Sequence, residues 1–136
     1  MTQFRRITDR FSVSPQISVA DLDEAARLGF RTIINNRPDG EEPTQPPSRE
    51  MEAAAAAAGL AYAHVPVRGF PTETQVSTQR QLVEQADGPV LAYCRSGNRS
   101  IVTWALGEAL SGARSRDELV RLGREAGYDL SAALPG

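Results

Sequence analysis

The chain has 136 residues, 40% hydrophobic and 24% charged, with a formal net charge of −2 and a pI near 5.4. These proportions suit one ordinary globular domain over residues 1–136, expected in the cytoplasm. No basic field argues for nucleic acid or an anionic membrane, no apolar run reaches the roughly 18 residues of a membrane span, and Met1–Phe11 is too polar for a signal peptide. All 15 basic residues are arginine, which excludes Schiff-base, pyridoxal and Walker-loop chemistry. A single cysteine, Cys94, and a single histidine, His64, exclude an internal disulfide and a Cys/His zinc cage, so neither metal nor cofactor is expected.

In chain order, Ile7 to Val13 reads as a short strand or hairpin. Ser18 is placed to cap a helix over Val19–Leu28, with Asp21, Asp23 and Glu24 in its first turns and Gly29 at its end. Arg31–Asn35 is a β-branched run of strand length, and the proline-rich stretch Asn36–Pro47 is a loop. Ser48 is expected to cap the next helix, which carries the alanine tract Ala53–Ala58 and stops at Gly59. Leu60–Val67 reads as a strand, Thr72 with Gln75 as a capping box for a helix to about Ala86, and Val90–Tyr93 as a short apolar strand. A helix is predicted from Ser100, with Val102, Ala105, Leu106, Ala109 and Leu110 on its apolar face, ending at Gly112. Ser115 with Glu118 opens a last helix to Ala126. Strands alternating with helices imply an α/β fold whose central, mainly parallel sheet of about four strands is flanked by helices on both faces.

In such sheets ligands sit beyond the carboxyl ends of the strands, and Cys94 is the first residue past the last strand. The segment Val90-Leu-Ala-Tyr-Cys-Arg-Ser-Gly-Asn-Arg-Ser-Ile101 reads as strand, tight loop and helix start. A loop entering a helix turns successive backbone N–H groups toward one point, which the helix dipole makes attractive to an anion. Gly97 permits the turn, while Ser96, Asn98 and Ser100 supply amides and hydroxyls. Arg95 and Arg99 add positive charge, Arg99 as the oxyanion ligand and Arg95 nearer the rim. A thiol at the base of this cradle is expected to be a thiolate nucleophile near neutral pH. His64 reads as a hydrogen-bonded structural residue or a support of the cysteine loop. The loop bearing Arg37, Asp39, Glu41 and Glu42 is either a mobile solvated loop or a lid, with Arg37 its best anion contact.

The strand–Cys–loop–Arg–Ser–helix segment is similar to cysteine-dependent dual-specificity phosphatases. More closely, the chain resembles the bacterial beta-lactamase-hydrolase-like, phosphatase-like domain family over about residues 5–110. The matching pieces are Ile17–Leu22, Gly29–Ile34 with Arg37–Gly40, Tyr62–Val67 and Cys94–Ser100. The resemblance implies a three-layer phosphatase-like fold. Two departures bear on function. Four residues separate Cys94 from Arg99, one fewer than in those phosphatases, and Cys-Arg-Ser-Gly-Asn-Arg matches the active loop of rhodanese sulfurtransferases. Arg68 also stands where such phosphatases carry an acidic proton donor, leaving Glu73 or Asp39 to substitute from nearby loops.

The leading expectation is therefore a sulfurtransferase that passes sulfur through a Cys94 persulfide, taking thiosulfate or a persulfide. The resemblance implies a setting in sulfide detoxification beside a separate persulfide-oxidising enzyme. The alternatives are a phosphatase forming a phosphocysteine from a phosphate ester, and a non-catalytic anion-binding module.

Overall fold

Three four-residue runs, Phe11–Ser14 (β2), Thr32–Asn35 (β3) and Val90–Tyr93 (β5), are buried at every position. Strands covered on both faces have this property. In the computed structural model, which describes residues 3–136, these runs pair in parallel in the order β2-β5-β3 at the centre of a five-stranded sheet. Met1 and Thr2, at the start of the polar N-terminal stretch and of the expected domain, lie outside the described residues. One strand more than expected is present because the N-terminal segment folds as a hairpin. Its two-residue β1 (Arg5–Arg6) pairs antiparallel with β2 and forms the exposed edge. The opposite edge is β4 (Ala61–His64), which is shorter than the predicted Leu60–Val67. The residues after it leave the ladder, yet Val65 and Val67 still donate backbone hydrogen bonds to Asn35 and Asn36.

Alternate strand residues divide the core into two halves. Ile33, Leu91 and Tyr93 face α1 (Val19–Arg27) and α2 (Ser48–Ala57), where they meet Leu22, Ala25, Met51 and Ala55. Ile34, Val90 and Ala92 face α3 (Glu73–Gln85), α4 (Asn98–Ser111) and α5 (Arg116–Glu125), where they meet Val76, Ile101, Ala105 and Leu119. The result is the expected α/β three-layer sandwich.

The capping boxes Ser18/Asp21 and Thr72/Gln75 form in full, whereas Ser115 caps α5 through one bond, accepted from Glu118 N–H. Two helix starts differ from expectation. Ser48 is the first residue of α2, and its N–H is satisfied by Asp39 Oδ1 from the preceding loop at 2.8 Å. The predicted cap is thus replaced by one borrowed across the loop. The cysteine helix begins at Asn98, two residues before Ser100, with Gly97 as N-cap and no side-chain cap bond. Its buried run, Ser100–Gly107, covers more than one face because α4 lies between the sheet and its neighbours. Leu110, placed by periodicity on the apolar face, is instead 67% exposed beyond that run.

Candidate active site

β5 sits between β2 and β3, so the chain leaving its carboxyl end passes between the loops that follow both neighbours. Backbone bonds fix that exit: Asn36 N–H to Tyr93 O at 2.8 Å, Gln16 N–H to Arg95 O at 3.2 Å, and Cys94 N–H to Ser14 O at 3.4 Å. Cys94 itself has no exposed surface. Gly97, at φ +94°, turns the chain so that its N–H donates to Cys94 Sγ at 3.1 Å. A side chain there would collide with the Tyr128 hydroxyl and approach its Cζ to 3.1 Å, so the position admits only glycine. α4 starts at the next residue, and the amides of its first turn have no intrahelical partners, a favourable place for an anion.

The flanking arginines are placed differently. Arg95 is 71% exposed, at the rim, 3.3 Å from Glu42. The Arg99 side chain is 17% exposed and reaches the 36–47 loop and the segment after β4. Its Nη1 donates to Glu41 Oε2 at 2.7 Å and Val67 O at 2.9 Å, and its Nη2 donates to Glu41 Oε1 at 2.9 Å. Of a guanidinium's five donors, the Nε hydrogen and one Nη2 hydrogen remain, side by side on one edge. Those two have no hydrogen-bond partner among the described residues. Donating to the Glu41 carboxylate raises Arg99 above its ordinary pKa against the opposing effect of burial, and the nearby Cys94 side chain adds to the rise.

Arg37, expected as an anion contact, is buried with its guanidinium committed to the protein: Glu41 at 2.9 Å, Glu42 at 2.7 Å and Gln16 at 2.9 Å. It pins the 36–47 loop beside the cysteine loop. Glu41 thus bridges Arg37 and Arg99. Chiefly through Arg99, its carboxyl is pushed down from 4.5 to about 2, so it stays an anion. His64 Nε2 meets Arg37 O at 2.8 Å and supports the same loop from β4.

Asp39 is engaged with the start of α2, and Glu73 lies exposed at the first turn of α3 beside Val76 and Ser77. Arg68 is exposed. Neither Asp39 nor Glu73 is joined to Cys94 by a described contact. Ser96 Oγ accepts from Asn98 N–H at 3.2 Å, and Asn98 is exposed. Ser100 is fully buried, and its Oγ has no partner among the described residues. Two site residues escaped the sequence reading. Glu41 was only one acid in a loop. Tyr128, whose hydroxyl donates to Ser96 O at 2.8 Å, follows the last helix and carries no local motif.

A family model, the phosphatase-like domain of beta-lactamase hydrolase-like proteins, matches residues 3–111. The chain belongs to this family. It is 41% identical over 129 residues to the beta-lactamase hydrolase-like protein of Agrobacterium fabrum, and 42% identical over 129 residues to that of Xylella fastidiosa. Each alignment covers 94% of this chain but 30% of the relative, so the chain spans under a third of their length.

Among solved structures, a candidate phosphatase from Neisseria meningitidis shares 36% identity and superposes with a TM-score of 0.86, covering 97% of this chain and 94% of that one. Tk-PTP in its active form is 21% identical with a TM-score of 0.74, covering 95% of this chain and 88% of that one; at that identity the likeness speaks for the fold. The phosphatase-like domain and its α/β fold are thereby shown. These relatives favour the phosphohydrolase alternative over the leading expectation of sulfur transfer and do not support the sulfide-detoxification setting.

Proposed function

We propose that this phosphatase-like domain hydrolyses phosphomonoesters through a phosphocysteine at Cys94. The observation that carries the reading is the Arg99 guanidinium, locked by Glu41 and Val67 with a two-donor edge unspent, five positions after a cysteine whose sulfur receives the Gly97 N–H. The loop amides and the Arg99 edge would hold the three non-bridging phosphoryl oxygens while Cys94 attacks phosphorus. The S–P bond forms, the P–O bond breaks, and the alcohol or phenol oxygen leaves with the electron pair. Water then attacks phosphorus and the S–P bond breaks, the sulfur leaving with the electron pair as the restored thiolate while inorganic phosphate and a proton are released.

Glu41 is held as an anion and cannot donate a proton at neutral pH, and Arg68 occupies the position of the expected acid. A leaving group that departs without a proton is therefore favoured. A phenolate is far less basic than an aliphatic alkoxide, so aryl phosphates are the preferred class. A variant of Pseudomonas aeruginosa TpbA, a fold relative at 18% identity and a TM-score of 0.63, has been solved with phosphotyrosine.

The four-residue spacing between Cys94 and Arg99 supports sulfur transfer as a second reading, since a persulfide needs neither the wider loop nor an acid. One side-by-side assay separates the two. The protein and Cys94→Ser are given p-nitrophenyl phosphate, and separately thiosulfate with cyanide. Cys94-dependent phosphate release, faster for aryl than for alkyl esters, is the expected result. Thiocyanate formation without phosphate release overturns the phosphatase reading in favour of sulfur transfer. Activity in neither assay, with inorganic phosphate still bound, leaves an anion-binding module.

A further inference from the structure

The Ser96 carbonyl and the Gly97 N–H are the two ends of one peptide unit. In a trans peptide they point in opposite directions. The N–H end reaches Cys94 Sγ at 3.1 Å, and the carbonyl end accepts from the Tyr128 hydroxyl at 2.8 Å. Reversing this peptide would turn a carbonyl oxygen toward the sulfur and repel a thiolate. The bond from Tyr128 holds the productive orientation and polarises the N–H on the far side.

Tyr128 is itself firmly placed. It is 7% exposed, its N–H donates to Gly123 O at 2.8 Å, and the Arg5 guanidinium lies 5.1 Å from its ring centroid. Burial holds its phenol above the ordinary pKa, so it remains a donor. The residue lies beyond position 111, where the family match ends.

We propose that Tyr128 is a positioning residue for the cysteine loop: through the Ser96–Gly97 peptide it sets the hydrogen bond that stabilises the Cys94 thiolate. The proposal deepens the phosphatase reading, on which its turnover arm rests. Tyr128→Phe removes one hydroxyl and keeps the ring. Iodoacetamide alkylation of Cys94, followed from pH 5 to 10, should be about three- to tenfold slower in the variant near pH 6 and nearly equal at pH 10, where thiols ionise regardless. For p-nitrophenyl phosphate, kcat/KM at pH 6 should fall by a similar factor, with the loss shrinking as pH rises.

A tyrosine that merely braces the C-terminal segment would lower the melting temperature and leave the shape of the alkylation profile unchanged. Superimposable profiles, or uniform slowing at every pH, overturn the proposal. If the parent protein does not hydrolyse the ester at all, the phosphatase reading fails, while the alkylation profile still decides the role of Tyr128.

Discussion

Replacing Arg99 by lysine tests the central geometry. Three of the five guanidinium donors hold Glu41 and Val67, and the remaining Nε/Nη2 edge is the one proposed to hold the phosphoryl group. A lysine keeps the charge but has three donors on a single nitrogen. It cannot hold Glu41 in a fork, reach Val67 O and present a second planar fork together. Losing charge-assisted bonds to a bound phosphoryl group costs about 1.5–3 kcal/mol, so kcat/KM for p-nitrophenyl phosphate should fall about ten- to a hundredfold, and inhibition by inorganic phosphate should weaken in parallel. Arg95→Lys provides the comparison. Arg95 is 71% exposed and has one 3.3 Å contact with Glu42, so its replacement should cost less than about threefold, an effect that fades as salt is raised. If Arg99→Lys turns over within about twofold of the parent, or if the Arg95 change is the more damaging, the assignment of the phosphoryl clamp to Arg99 is refuted.

The Glu41–Arg99 pair also predicts an acid-dependent stability. The folded carboxyl, at about 2, lies below its ordinary 4.5, so the stabilisation is complete above about pH 4.5 and is lost as the pH falls toward 2. Glu41→Gln should melt lower than the parent at pH 7 by the equivalent of about 1–2 kcal/mol, a figure reduced for solvent screening of an exposed residue. That gap, followed by circular dichroism, should close between pH 4.5 and 2; a gap that stays constant would count against the pair. Gly97→Ala forces a Cβ onto the Tyr128 hydroxyl at a φ of +94°. It should abolish turnover and lower the melting temperature by the equivalent of about 1–3 kcal/mol, and an active, equally stable variant would disprove the close approach. Gln79, 1% exposed, accepts from Asn36 Nδ2 at 2.7 Å and donates to Ser100 O at 3.3 Å, joining the end of β3 to the first turn of α4. Gln79→Leu should destabilise by about 1–3 kcal/mol in urea unfolding, and an unchanged midpoint would show that the network contributes nothing.

The strand–loop–helix carrying Cys94 was legible from the amino acids alone. Its signals are local: a four-residue apolar run, a glycine able to take positive φ, and two arginines within five positions of the cysteine. The layer order was equally legible, because strands buried on both faces alternate with helices whose capping boxes lie within four residues. Local rules failed where a backbone group is satisfied from a distance. Ser48 was expected to cap α2, but Asp39, nine residues earlier, supplies the bond. The residues that complete the site were beyond sequence reasoning for the same reason. Glu41 reaches Arg99 across 58 positions and Tyr128 reaches Ser96 across 32. Neither contact has a periodicity or a motif. The first exists because β5 lies beside β3, so the loop after β3 meets the turn after β5; the second exists because α5 packs on α4, which brings the segment after α5 against the same short turn.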